Sequence, residues 1–232
     1  MEYKNEQNAG INTINENCNK APIKSKSLED IINKDDIISF ISITFSSIIH
    51  NNKLMKKKQS RGINEPLYSK IVPELTINKY LIRIMKYTEI ENNTLIVAYL
   101  YIMKLIKKEN FVLGINNVYR LLLGASVLAK KVLEDIKLDN SYYCAIGGIS
   151  NGELNMIEYS LFTRIEFDVN LKMEEVNKVY DEIFKGLPQS RLNEIFKEND
   201  INNNNINLNI INNGNIKKED NNNNKDINNK ES

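Results

Sequence analysis

The 232-residue chain has a single histidine, His50, no tryptophan, two cysteines, four prolines and nine glycines. One imidazole cannot supply a multi-histidine zinc centre, and no Ser-His-Asp arrangement suggests itself around it. Cys18, in a polar stretch, and Cys144, in an apolar-patterned one, allow at most one bridge and lack metal-site spacing. A reduced, intracellular protein without metal or cofactor is the simplest expectation. A charge excess is missing too: 31 Lys and Arg against 30 Asp and Glu leave a net +1, without the basic balance of a dedicated nucleic-acid binder. No segment reaches the roughly 18 uninterrupted apolar residues of a membrane span, and residues 1–20 hold no signal-peptide apolar run. The chain is expected to be soluble, in nucleus or cytoplasm, and away from membranes. What it has in excess is 38 Asn and 34 Ile, a skew too broad to be a structural device.

The asparagines concentrate at the ends. From 201 to 232, 15 of 32 residues are Asn and none is aromatic, so little apolar surface could offset the entropy of ordering. The composition predicts a disordered N-terminal tail over 1–27, a folded domain over 28–198 and a disordered Asn-rich tail over 199–232.

Inside the domain the apolar spacing is helical. Ile31, Ile37, Ile38, Ile41, Phe45, Ile48 and Ile49 recur at three- and four-residue intervals behind Asp35 and Asp36, predicting a helix of about fifteen residues. The basic run Lys53, Lys56, Lys57, Lys58 and Arg61 then ends it as a solvated linker. Thr76 can cap a helix carrying Ile77, Tyr80, Leu81, Ile84 and Met85. Asn92-Asn93-Thr94 signals the next, over Leu95 to Ile106, apolar nearly all round as in a helix buried at a domain centre. A third runs from Val118 to about Glu134, where Gly124, Ala125, Ser126 and Ala129 permit close helix approach. Gly147-Gly148 separates a short fourth helix from a fifth, and Ser150 with Glu153 forms a capping-box signal at the start of that fifth. Met173 to Phe184 and Gln189 to Lys197 are two further amphipathic stretches, divided by Gly186 and Pro188. The fold class is all-α.

Several strings narrow this further: Pro73-Glu-Leu-Thr-Ile, Tyr80-Leu-Ile-Arg-Ile, Tyr101-Ile-Met-Lys-Leu, Asn117-Val-Tyr-Arg-Leu, Leu128-Ala-Lys-Lys, Ile146-Gly-Gly-Ile-Ser-Asn-Gly-Glu-Leu-Asn-Met-Ile-Glu and Glu166-Phe-Asp. Their order and spacing resemble the cyclin box of the P/U-type cyclins over about 30–185. The resemblance implies a cyclin box of five helices, its core at about 65–170, with a flanking N-terminal helix and one or two C-terminal helices. It also implies a regulatory subunit that forms a heterodimer with a cyclin-dependent protein kinase and activates it, in control of cell division or nutrient response. By that resemblance Lys131 and Glu158 look like the charged pair that hydrogen-bonds the kinase backbone near its mobile C-helix. Leu128, Val132, Phe162 and Phe167 would be the surrounding apolar contacts. Lys130 is a competing choice for Lys131, and ordinary core is the competing role of each apolar residue.

The chain departs from the family pattern in places. Met103 replaces the aspartate of the Tyr-Ile-Asp-Arg motif and Glu74 the arginine that pairs with it; losing both ends leaves no buried charge uncompensated. Tyr119 replaces a histidine, Cys144 replaces a small residue as a buried thiol, and the helix-one motif that docks substrate peptides in cell-cycle cyclins is absent. Two other classes stay open: a cyclin-fold adaptor that activates no kinase, and a nucleic-acid-binding transcription factor, which the near-neutral charge disfavours.

Overall fold

The computed structural model describes residues 27–57, 65–136 and 138–202, with side chains to Lys197. Among the described residues every regular element is a helix: α1 (Leu28–Ile31), α2 (Lys34–Leu54), α3 (Ile77–Thr88), α4 (Asn92–Glu109), α5 (Val118–Leu133), α6 (Asn140–Gly147), α7 (Asn151–Arg164), α8 (Met173–Gly186) and α9 (Gln189–Asn202). The expectations for residues 1–26 and 203–232, for Cys18 and for Lys58 and Arg61 lie outside the described residues.

Local chemistry explains most boundaries. Asn33 caps α2 in a capping box with Asp36, and a half-buried Asp36 also pairs with Arg191 of α9 at 3.3 Å. This helix has 21 residues, longer than its apolar stripe suggests, because Lys53 sits in its last turn and complements the helix dipole instead of breaking it. Thr76 accepts the Lys79 N–H at 3.2 Å to open α3. Gly148, at φ +63°, ends α6 in the left-handed conformation that glycine adopts without penalty. Ser150 and Glu153 exchange capping hydrogen bonds at the start of α7.

One cap differs from expectation. The Asn92-Asn93-Thr94 string does not cap α4; Glu91 is the capping residue, its own side chain makes no capping bond, and its N–H is accepted by Glu134, the C-cap of α5. α4 is buried from Thr94 to Tyr99, as its all-round apolar run predicts, and α5 is buried over a longer stretch still. Every residue of α5 from Leu121 to Lys130 is buried, so α5 is the axis of the domain, with α4 and α7 packed most extensively against it. α3 and α6 pack beside α5, while α2 and α8 close the other side of α4. α7 approaches closely because position 124 is glycine: a Cβ there would lie 2.6 Å from Ile157 Cγ2.

The two family departures are accommodated without a buried unpaired charge. Met103 packs half-buried against the core and Glu74 is exposed. Tyr119 donates its hydroxyl to the Leu75 carbonyl and meets Tyr80 edge-on, ring centroids 5.1 Å apart. Cys144 is half-buried, less than expected, with its thiol pushed up by partial burial and then by Asp139 and Glu153.

Candidate functional site

The packing of α5 against α7 sets the geometry of the charged pair. Lys131 lies seven positions, two helical turns, beyond Gly124, and Glu158 directly follows the Ile157 that fills the gap. Their tips meet: Lys131 Nζ donates to Glu158 Oε2 at 2.7 Å and to Oε1 at 3.0 Å. The lysine side chain remains 36% exposed and the glutamate 18%, so the pair lies at the surface with free donor and acceptor capacity.

The competing lysine behaves differently. Lys130 is 4% exposed and its ammonium pairs with Glu134 one turn on, inside the domain. Successive helical residues are about 100° apart, so an inward Lys130 leaves Lys131 on the outer flank. Glu134 also accepts the Glu91 N–H at 3.0 Å. Burial alone would raise its carboxyl; hydrogen bonds from Lys130, from the Glu91 N–H and from Thr94 outweigh that and hold it below the ordinary glutamate range. Sequence reading missed this group, although the Lys130-to-Glu134 spacing of an i, i+4 pair was there to be seen. Tyr143 of α6 is buried beside both carboxylates: desolvation first, then Glu134 and Glu158, push its phenol up.

The apolar candidates divide. Leu128 is buried in the core and supports α5 from within. Val132 is 43% exposed on the outer flank of the last α5 turn. Phe162 is half-buried and Phe167 58% exposed, and the two rings meet edge to face with centroids 4.9 Å apart. Their contact follows from how α7 ends. The Phe167 N–H bonds the Phe162 carbonyl at 2.9 Å and the Glu166 N–H bonds the Thr163 carbonyl at 2.9 Å. That is a Schellman ending, which brings its outermost residue onto the helix residue five positions back. Glu166 and Phe167 both adopt positive φ, +59° and +58°, where glycine is usual. Side chains of α4 hold this turn: Lys104 bonds Asp168 at 2.6 Å, Lys108 pairs with Glu166, and the Tyr101 hydroxyl donates to the Val169 carbonyl at 2.8 Å. Behind it, a nearly buried Arg164 bridges Glu65 and Glu109 and stacks over Phe111 at 4.8 Å.

Further exposed apolar side chains lie on the same two helices and the segment after α5: Leu133, Ile136, Met156 and Tyr159. Among the described residues no three His, Cys, Asp or Glu side chains come together as a metal-binding group, and no helix is long and apolar enough to cross a membrane.

Comparison with known proteins identifies the family of this all-helical domain. The cyclin family model matches residues 12–169. Cyclin-U1-1 of Arabidopsis thaliana is 32% identical over 139 residues, 58% of this chain and 66% of that protein. Cyclin-U4-1 of the same plant is 29% identical over 152 residues, 64% of this chain and 75% of the relative. Cyclin-P1-1 of Oryza sativa subsp. japonica is 33% identical over 110 residues, 47% and 40% respectively. The chain belongs to the cyclin family, on its P/U-type branch. It spans just under two thirds of Cyclin-U1-1.

Proposed function

We propose that the chain is the regulatory subunit of a cyclin-dependent protein serine/threonine kinase, binding it as a heterodimer and activating it through α5 and α7. The observation that carries this reading is the Lys131–Glu158 pair, surface-accessible on α5 and α7, the helices and flanking turns that also carry the exposed Val132, Leu133, Tyr159 and Phe167. In an active kinase a strand lysine must pair with a glutamate of the mobile C-helix, so a partner that packs on that helix controls catalysis without supplying chemistry. An ammonium and a carboxylate side by side can bond a backbone carbonyl and a backbone N–H of the kinase at once. The apolar residues around them would exclude water from that contact and strengthen it. No group of this chain takes part in phosphoryl transfer; its contribution is to hold the kinase in one conformation.

The test is to mix the purified full chain with purified cyclin-dependent kinases and measure both complex formation and phosphorylation of a peptide substrate. A one-to-one complex with a raised phosphorylation rate is expected. A stable complex without stimulation would make the chain an adaptor instead, and the absence of a complex with every kinase tried would overturn the reading.

A further inference from the structure

Two lysines stand side by side at the end of α5, and the fold treats them oppositely. Lys130 is buried against Glu134, whereas Lys131 reaches outward to Glu158. Helical geometry alone does not choose between them, since a roll of the last turn by one residue would exchange their places. The choice is tied to what Glu134 does. Its carboxylate accepts the N–H of Glu91, the residue that opens α4, across 43 positions of sequence. It is thereby fixed to a second helix, and Lys130, four residues before it, is the lysine that stacks over it along the helix face. Glu134 thus accepts the N-cap N–H of α4, the bond that the third helical residue makes in a capping box.

We propose that Glu134 selects which of the two adjacent lysines faces the partner: by anchoring α5 to the first turn of α4 and neutralising Lys130 inside the domain, it leaves Lys131 to project onto Glu158. Glu134 and Lys130 are positioning residues and touch no partner. The functional consequence rests on the docking role proposed for Lys131, whereas the selection itself is internal to the chain and is measured without a kinase.

Amine acylation of the full chain, with sites located by mass spectrometry, reads the selection. In the unaltered chain Lys131 is labelled and Lys130 protected. Glu134→Gln keeps an acceptor for the Glu91 N–H but removes the charge. Labelling of Lys130 then rises roughly a hundredfold, the scale expected when a buried ion pair loses one member. Lys130→Met with Glu134→Gln leaves no buried charge, so this variant folds, labels at Lys131 and binds the kinase with the affinity of the unaltered chain. A second-site test follows: Lys131→Met weakens kinase binding by roughly a hundredfold, and adding Glu134→Gln restores part of it by freeing Lys130, an outcome that unfolding cannot produce. The proposal is overturned if Lys130 stays protected in folded Glu134→Gln, or if the Lys130→Met/Glu134→Gln chain loses its fold or its Lys131 labelling. If the unaltered chain binds no cyclin-dependent kinase, the proposed function fails while the labelling pattern still decides the selection.

Discussion

Replacing Gly124 with alanine tests the close approach on which the site geometry depends. The new methyl would stand 2.6 Å from Ile157 Cγ2, about 1 Å inside the roughly 3.5–4.0 Å of a relaxed carbon contact. Ile157 is fully buried, so it yields only by moving α7 away from α5. Overpacking of this kind costs about 1–3 kcal/mol, and the helix preference of alanine over glycine offsets up to about 1 kcal/mol. The net loss is therefore about 1 kcal/mol, a fall in Tm of about 2–4 °C for a domain of this size. Ile157→Leu removes the offending γ-methyl, because leucine branches one carbon further out. On its own it costs under about 1.5 kcal/mol, and combined with Gly124→Ala it costs less than the sum of the two. Thermal and urea unfolding of the four chains completes the cycle. If Gly124→Ala raised stability by the full helix-propensity gain, α5 and α7 would not be in contact at that point.

Other consequences are directly measurable. Arg164→Met removes the cation shared by Glu65 and Glu109 and should cost about 3 kcal/mol in urea unfolding; Arg164→Lys should recover little, since lysine lacks the planar fork and the stacking on Phe111. Glu89 ends α3 exposed at φ +50°, so Glu89→Gly should raise stability by up to about 1 kcal/mol, and a lower Tm would refute that. The carboxyls of Glu134 and Glu153 lie below their ordinary value of 4.5. A carboxyl depressed in the folded state adds stability that is present above its unfolded value and is lost as pH falls through the folded one. Tm should therefore drop as pH falls below 4.5, and Glu153→Gln should flatten that drop; a profile unchanged by the substitution would contradict the assignment.

What the sequence made legible was local. Thr76, the Ser150–Glu153 box and Gly148 act within a few residues of themselves, so their signals survive without knowledge of the fold. The order of the box helices followed from apolar periodicity, and the strings around Lys131 and Glu158 marked the helices that carry them. What escaped was made by residues far apart in sequence. Glu91 opens α4 through an acceptor 43 positions away, and a local asparagine string was the stronger-looking cap signal. Arg164 finds its partners 99 and 55 positions back. The burial of Lys130 was hidden for the same reason: a lysine reads as solvated until its counter-charge is placed inside. The central role of α5 was obscured because its small residues weaken its apolar signal, although those residues are what let α7 approach.

The proposed docking role stands or falls on exchanging the two charges. Lys131→Glu and Glu158→Lys, each alone, should weaken kinase binding by roughly a hundredfold or more, the scale seen when one member of a hydrogen-bonded interfacial charge pair is lost. With both changes present the internal ion pair re-forms and thermal stability returns, but donor and acceptor have traded places relative to the kinase backbone, so binding measured by calorimetry stays weak. Full affinity in the exchanged chain would mean that Lys131 and Glu158 serve only to hold α5 and α7 together and that the kinase binds elsewhere.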